Sequence, residues 1–297
     1  MPPSPSASTF RLGVVLALCA ATGFASKAIF VKLAYRYQVD AVTLLTLRLA
    51  LAMPFLLLVR LWRGGSAAPI SGRDRGWLLL GLLGYYLSSL LDFLGLMSVS
   101  ASLERLLLML YPTFTVLLSA WLLKQRVTGR IVTALSITYA GMLLVLIPDL
   151  AQARAHWSGV ILVLLSTLSY ALYLTLSPAV IARVGAMRFT ETALAVSALA
   201  MAVHFLATRP LGALVQPLPV WGYALAIAIL ATVLPIYALA GAIVRIGSSR
   251  TAIIGSIGPV LTIVLSMGVL DERLGWLQWL GAAVVIGGVW IVGSNKK

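Results

Sequence analysis

YPTFTVLLSAWLLKQRV, residues 111–127, aligns without a gap with GPVLTIVLSMGVLDERL, residues 258–274, which lies 147 positions further along the chain. Leucine pairs match by chance in any two apolar segments, but polar and conformationally special residues do so far less often. The matched residues of this kind, with one glycine just beyond the two stretches, are Pro112 and Pro259, Thr115 and Thr262, Ser119 and Ser266, Arg126 and Arg273, and Gly141 and Gly288. A fixed offset of this length indicates a repeated unit, so we predict an internal duplication.

The composition indicates a protein that lies in a bilayer. Of the 297 residues, 61% are hydrophobic and 10% are charged, whereas a soluble domain carries about 25% charged residues. The formal net charge of +14 would suggest a nucleic-acid partner in a soluble protein. Here the basic residues lie in short loops between apolar runs, which is typical of membrane topology signals, and we predict no nucleic-acid partner. The single cysteine, Cys19, excludes an intramolecular disulfide.

Ten apolar segments are long enough to span a membrane as helices of about 20 residues. They cover residues 12–34, 41–62, 76–98, 101–123, 130–148, 158–182, 188–208, 219–243, 248–270 and 275–294. The predicted organisation is a disordered cytoplasmic tail (1–11), a first five-helix repeat (12–148), an outer linker (149–157), a second five-helix repeat (158–294) and a short cytoplasmic tail (295–297). Five helices per unit reverse the direction of the second unit. The predicted fold is therefore an all-α integral membrane protein with ten transmembrane helices as two inverted five-helix repeats.

The distribution of Lys and Arg predicts the orientation of these helices. With the N-terminus inside, the inner parts of the chain carry fourteen basic residues and the outer loops carry five. Basic residues are enriched on the cytoplasmic side of membrane proteins. We therefore expect both termini to be cytoplasmic.

The segment DERLGWLQWLGAAVVIGGVWIV, residues 271–292, is similar to a family signature, E-R-x-x-x-x-Q-x-x-G-x-x-x-I-x-x-G. This signature belongs to the EamA group of the drug/metabolite transporter superfamily. Its positions are filled by Glu272, Arg273, Gln278, Gly281, Val285 (in place of Ile) and Gly288, and the first half keeps Gln125, Arg126 and Gly141. The resemblance covers essentially the whole chain. It implies a multi-pass protein of the bacterial inner membrane that moves small organic metabolites, often outward, and whose known relatives of this size export aromatic and other neutral amino acids.

The two matched prolines head polar stripes that are candidates for lining a substrate cavity. Residues i, i+3 and i+7 share one face of a helix. The stripes predicted in this way are Pro112, Thr115 and Ser119 in the first half and Pro259, Thr262 and Ser266 in the second. The prolines would kink their helices and free carbonyl groups that hydroxyls, water or substrate could satisfy. The alternative interpretation is close helix packing, which small polar residues favour in membranes.

Aromatic and hydroxyl side chains supply further cavity candidates. Tyr85, Ser89 and Asp92 share one face of the third segment, and Tyr170 and Tyr173 lie in the middle of the sixth. Tyrosines at segment ends commonly form an interfacial belt, but hydroxyls at mid-membrane depth need partners. We therefore expect these side chains to line a cavity that suits substrates with apolar or aromatic side chains.

Five charges lie inside the first-half segments: Lys27, Arg48, Asp92, Glu104 and Arg105. At 1.5 Å per residue, all of them lie within about 12 Å of the predicted outer surface. Intramembrane charges usually face inward and pair. One interpretation is a salt-bridge network that holds helices together. Another is a gate in which Arg48, Asp92 and Glu104 control access and an acid exchanges a proton, and Glu104 and Arg105 can also snorkel to the interface.

Lys27 is a further candidate, because a cation at this depth can meet a substrate carboxylate or be neutralised by Asp92.

These features favour a secondary transporter that works by alternating access around a central cavity between the repeats. The alternatives are a passive channel or facilitator and a multidrug-type exporter of hydrophobic cations. An enzyme is not expected, because the protease motifs are absent and neither histidine is mid-membrane. The loops leave no room for a nucleotide-binding domain. We predict no cofactor and no metal site, and expect the partners to be a small-molecule substrate and the lipid bilayer, with the duplicated chain acting as a monomer.

Overall fold

The computed structural model describes residues 7–62, 76–124, 129–151, 156–255 and 257–293, and this part of the chain is helical, with no strand. The first half contains α1 (Ala7–Tyr35), α2 (Ala41–Trp62), α3 (Gly76–Gly81), the π-helical segment π1 (Leu82–Leu87), α4 (Ser88–Leu96), α5 (Ala101–Leu108), α6 (Tyr111–Leu122) and α7 (Gly129–Ala151). The second half contains α8 (Trp157–Leu176), α9 (Pro178–Val184), α10 (Ala186–Thr208), a 3₁₀ turn (Leu211–Leu214), α11 (Leu218–Ala228), π2 (Ile229–Val233), α12 (Leu234–Gly255), α13 (Gly258–Val269) and α14 (Trp276–Gly293).

The predicted membrane class is confirmed. Within the described ranges, seven helical stretches are long and apolar enough to cross a membrane, and two apolar helices, Gly258–Val269 and Trp276–Gly287, are shorter. Many large apolar side chains are exposed on the outside of the bundle, for example Leu61, Trp62 and Val244. A surface in contact with lipid tails has this character.

Several observed boundaries differ from the predicted ones. α1 begins at Ala7, so residues 7–11 are helical and do not belong to the predicted disordered tail. α7 continues to Ala151, two positions beyond the start of the predicted linker. Gln125, Arg126 and the tail 295–297 lie outside the described residues.

Both matched prolines begin a helix rather than bend one from within. α5 ends at Leu108 and α6 starts at Tyr111, so the break precedes Pro112, and α13 starts at Gly258 immediately before Pro259. Proline has no backbone N–H and fits the first helical turn, where that N–H would be unpaired in any helix. The predicted segments 101–123 and 248–270 are therefore each broken in two.

Helix boundaries in the two halves recur at the offset of 147 residues. α6 occupies 111–122 and α13 occupies 258–269. α12 contains a kink at Gly247 (φ +81°), so its final piece, 248–255, corresponds to α5 at 101–108. The π segments begin at 82 and 229. Even the local irregularities of the helices thus follow the sequence offset.

Hydrophobic packing joins the two halves. The largest cluster draws buried side chains from α1, α2 and α4 and from α10, α11 and π2. α7 and α14 cross at Gly141 and Gly281. Their backbones are so close there that a Cβ added to Gly141 would lie 2.8 Å from the Gly281 carbonyl oxygen. Only glycine allows two backbones to approach so closely.

Three contacts bring together the connecting segments at one end of the bundle. Arg209 Nε donates to Asp40 Oδ1 at 3.1 Å, the His156 N–H donates to the Ser98 carbonyl at 3.2 Å, and the Ala101 N–H donates to Glu272 Oε1 at 2.7 Å. We call this side of the molecule the Asp40 end.

Candidate functional site

An ion cluster lies below the Asp40 end, where α1, α4 and α5 meet. The Lys27 ammonium is 2.5 Å from Asp92 Oδ2 and 2.9 Å from Glu104 Oε1. Asp92 is 3% exposed and Glu104 is fully buried. Lys27 is therefore paired with two protein carboxylates in this structure.

This cluster contains more acid than base. Two carboxylates share one ammonium, and a second oxygen of each, Asp92 Oδ1 and Glu104 Oε2, is buried and has no hydrogen-bond partner among the described residues. Two carboxylates around one ammonium leave an excess of negative charge, and like charges repel in a medium of low dielectric constant. The arrangement can accept one additional positive charge, either a proton or a cationic group.

Arg48 lies beside the ion cluster but does not form an ion pair with it. Its Nε donates to Thr232 Oγ1 of π2 at 3.1 Å, and its guanidinium stands 5.5 Å from the centre of the Phe93 ring. Asp92 and Tyr85 lie close enough to interact electrostatically with the Arg48 guanidinium. Nη1 of this residue is buried and has no hydrogen-bond partner within the part of the chain that the structure describes. A buried guanidinium with a free N–H group can bind an anion.

Arg105 carries a second buried donor, Nε, to which none of the residues in the described ranges offers a hydrogen-bond acceptor. Its guanidinium lies against Gly258 at the start of α13, and Tyr111 and Tyr170 are electrostatic neighbours. Arg105 therefore points into the protein and does not snorkel to the surface.

An aromatic cluster joins α8 to π1, α6 and α10. Tyr173 packs against Tyr85 (ring centroids 5.4 Å apart), Tyr170 (5.7 Å) and Phe189 (5.7 Å), and Tyr111 packs against Tyr170 (5.8 Å). The ring of Tyr173 covers Gly84 of π1, and a Cβ at that position would lie 2.5 Å from the ring. Three of the five members, Tyr85, Tyr170 and Tyr173, were predicted from the sequence, and the structure brings them together.

The two polar stripes lie in different environments. On α13, Pro259 is buried, the Thr262 hydroxyl donates to the Ala25 carbonyl at 3.1 Å, and Ser266 Oγ is 2.6 Å from Ser102 Oγ. The stripe on α6 and the nearby Ser89 of α4 are half-buried, and Thr115 donates to the carbonyl of Tyr111 in its own helix at 2.7 Å. The observed contacts of the α13 stripe are helix-packing contacts with the first half.

Three residues with important contacts were missed as site candidates: Tyr111, Thr232 and Glu272. Tyr111 directly precedes Pro112, and Glu272 opens the family signature, so both had a sequence signal. Glu272 accepts hydrogen bonds from the first residues of α5 beside a cavity of about 270 Å³ that Ser100, Ser102, Leu270 and Gln278 help to line. Thr232 had no such signal, because its role depends on the π geometry that turns its hydroxyl towards Arg48.

Among the described residues, no group of three His, Cys, Asp or Glu side chains is placed to hold a metal ion.

The chain is similar to known transporters along its whole length. The model of the EamA-like transporter family matches it twice, over residues 11–147 and 157–294. An uncharacterized transporter of Bacillus subtilis (strain 168), YcbK, is 32% identical over 290 residues, which cover 94% of this chain and 91% of the relative. A second uncharacterized transporter of that organism, YyaM, is 25% identical over 82% of this chain and 81% of its own length. A solved crystal structure with 18% identity superposes over 96% of both chains with a TM-score of 0.64, which shows a shared fold.

Proposed function

Because this chain belongs to the EamA-like transporter family, we propose that it is a secondary transporter that exports small organic metabolites, with aromatic and other neutral amino acids as the favoured substrates. The observation that carries this proposal is the presence of unpaired buried groups of both signs next to an aromatic cluster. Arg48 Nη1 offers a donor, and Asp92 Oδ1 and Glu104 Oε2 offer acceptors. A neutral amino acid carries one carboxylate and one ammonium and can satisfy both kinds of group at once.

The tyrosines supply the apolar part of the proposed site. Tyr85 is an electrostatic neighbour of Arg48 and also packs against Tyr173. A substrate held by its charged groups at Arg48 and Asp92 would therefore direct its side chain towards the rings of Tyr85, Tyr170 and Tyr173. Aromatic rings favour aromatic and large apolar side chains.

The architecture that we propose is ten transmembrane helices in two inverted five-helix repeats. The recurrence of helix ends and π segments at 147 residues supports it, and so does the double match of one family model. The surplus of basic residues in one set of loops supports cytoplasmic termini in a bacterial inner membrane, with the Asp40 end outside. Transport would then proceed by alternating access, as one repeat rocks against the other around the site between them.

We further propose that the ion cluster couples transport to protons. Asp92 and Glu104 hold more negative charge than Lys27 balances, and Arg48 lies beside them. Protonation of one acid would neutralise the carboxylate that accepts the substrate ammonium. Proton binding and substrate binding would then exclude each other.

The function is tested with purified protein in proteoliposomes. We expect saturable uptake of labelled phenylalanine that is accelerated by unlabelled phenylalanine or leucine on the opposite side. Arg48→Gln should reduce this counterflow by about tenfold or more, the loss expected for one charge-assisted contact. The loop variant Arg36→Gln is the matched control and should not change it.

Other outcomes would select other functions. Flux that does not saturate and shows no counterflow would indicate a channel. Competition by a cationic dye but not by amino acids would indicate a multidrug-type exporter.

Proton coupling needs a separate experiment. Asp92→Asn and Glu104→Gln each leave Lys27 with one carboxylate, so both variants retain a balanced ion pair. We expect at least one of them to lose the response of uptake to a pH gradient while counterflow persists. An unchanged gradient response in both would remove these residues as coupling groups.

A further inference from the structure

The carboxylate of Glu272 joins the two halves of the chain at the Asp40 end. Glu272 follows α13, yet it accepts three hydrogen bonds from the start of α5: from the Ala101 N–H at 2.7 Å, from the Ser102 N–H at 3.1 Å and from Ser102 Oγ at 2.7 Å. The first N–H groups of a helix have no partner within the helix. A carboxylate satisfies them well, because its charge also interacts favourably with the helix dipole.

Other contacts around Glu272 hold the same junction. Ser102 Oγ is 2.6 Å from Ser266 Oγ, and the backbone N–H of Glu272 donates to the Ser266 carbonyl at 3.3 Å. Lys32 of α1 places a positive charge near Glu272. The three residues Ser102, Ser266 and Glu272 therefore form one hydrogen-bonded unit, of which the first belongs to one half and the other two to the other half.

We propose that this unit is a latch that keeps the Asp40 end closed, and that release of Glu272 from α5 opens that end during transport. The inference rests on the alternating access proposed above. Release would expose a carboxylate and two N–H groups, which need water once they separate. The adjacent cavity of about 270 Å³, which has Ser102 and Glu272 in its wall, is where that water can enter.

The first test locks the latch. The hydroxyls of Ser102 and Ser266 are 2.6 Å apart, so the double variant Ser102→Cys/Ser266→Cys places two thiols within reach of disulfide formation. The variant is built on Cys19→Ala, which removes the only native cysteine. After oxidation by copper phenanthroline and dissolved oxygen, which accept two electrons and two protons from the thiol pair, we expect counterflow to fall at least tenfold, and reduction with dithiothreitol should restore it.

The single-cysteine variants, oxidised in the same way, should retain their counterflow and serve as controls. Unchanged counterflow in a double variant whose disulfide has been verified by mass spectrometry would overturn the latch.

The second test weakens the latch and measures access directly. In the Cys19→Ala background, Thr262, fully buried beneath the junction, is replaced by cysteine as the single reporter for a membrane-impermeant maleimide added from outside. Glu272→Gln should speed labelling about tenfold, since it replaces charge-assisted contacts by weaker neutral ones. Asp271→Asn is the matched control: it removes the same charge one position away, at an exposed residue whose φ of +57° asparagine tolerates well.

The labelling and transport results together distinguish a failure of the latch from a failure of the proposed amino-acid substrates. Equal labelling rates in Glu272→Gln and Asp271→Asn would contradict the latch even if the protein transports amino acids. Faster labelling in Glu272→Gln, in a protein that transports none of the substrates tried, would support the latch and contradict the proposed substrates.

Discussion

The two halves of the chain are similar in helix boundaries but differ in where they carry charge. The first half holds Lys27, Asp92 and Glu104, and the offset of 147 places Leu174, Leu239 and Thr251 at the corresponding positions. The second half instead contributes buried hydroxyls that contact the first, for example those of Thr232 and Thr262.

The first-half residues at the positions matched to Thr232 and Thr262 differ from them in residue type or in burial. Thr232 corresponds to Tyr85, and Thr262 corresponds to the half-buried Thr115. The comparison teaches that a repeated backbone does not imply a repeated chemistry: the ion cluster of Lys27, Asp92 and Glu104 belongs to one half, and the buried hydroxyls that contact that half belong to the other.

The largest expected effect on stability comes from replacing Lys27, whose matched position in the second half is the apolar Leu174. Lys27→Met leaves two buried carboxylates without their cation, and we expect a loss of about 3–5 kcal/mol in the free energy of unfolding. Leu174→Met at the matched position is a volume-conserving apolar change and should cost less than about 1.5 kcal/mol. Reversible unfolding of the purified protein in mixed micelles measures both.

Neutralising the whole cluster sharpens this prediction. The triple variant Lys27→Met/Asp92→Asn/Glu104→Gln buries no net charge and should recover most of the stability lost in Lys27→Met. If the triple variant is as unstable as the single one, lost packing and not unbalanced charge explains the effect.

A smaller effect is expected where π1 meets the aromatic cluster. Gly84→Ala places a methyl group 2.5 Å from the Tyr173 ring, so either the ring or π1 must shift, at a cost of about 1–3 kcal/mol. At Gly222 of α11, an added Cβ would have no heavy atom within 4 Å, and Gly222→Ala should be neutral or slightly stabilising. Thermal unfolding followed by tyrosine fluorescence compares the two, and equal shifts would argue against a tightly packed cluster.

The third prediction compares how much a hydroxyl from each polar stripe contributes to the free energy of unfolding. Thr262→Val removes a fully buried hydroxyl that links α13 to the Ala25 carbonyl, which should cost about 1–2 kcal/mol. Thr115→Val removes a half-buried hydroxyl bonded within its own helix, and the expected change is below about 0.5 kcal/mol. A reversed order of the two in the same unfolding assay would contradict the environments described for the stripes.

The smallest effect concerns the contact between the halves at Asp40. Burial alone would raise the pKa of Asp40, but hydrogen bonds from Thr43 and Arg209 outweigh it and lower the pKa below its ordinary value. A lowered pKa means that the contribution to stability is fully present above the unfolded-state value of about 3.9 and is lost as the pH falls through the folded-state value.

Asp40→Asn isolates that contribution, because asparagine caps a helix as well as aspartate does. The variant should be slightly less stable than the native protein at pH 6, and the difference should shrink as the pH falls below about 3.9 towards the lowered folded-state pKa of Asp40. A constant difference between the two proteins over this range would show that the charge of Asp40 has no part in it.

Much of the fold was predictable from the sequence because it depends on composition and spacing. The apolar segments follow from composition, and the helix breaks lie next to Pro112 and Pro259, where the sequence predicted kinks within continuous helices. Which charges pair depends on helix packing, so the sequence could not show that Arg48 bonds to Thr232 and leaves Asp92 to Lys27. The unequal burial of Thr115 and Thr262 was hidden for the same reason, since the two positions look identical in the alignment of the halves.

The two-to-one ratio of acid to base around Lys27 also restricts how this protein can change over evolutionary time. Loss of Lys27 alone strands two acids, whereas loss of one acid leaves a neutral pair. Substitutions should therefore occur in a fixed order: an acid first, and the lysine only after it or together with it. Among descendants of this chain we expect to find Lys27 with one acid or with both, and lineages without Lys27 should lack at least one of Asp92 and Glu104.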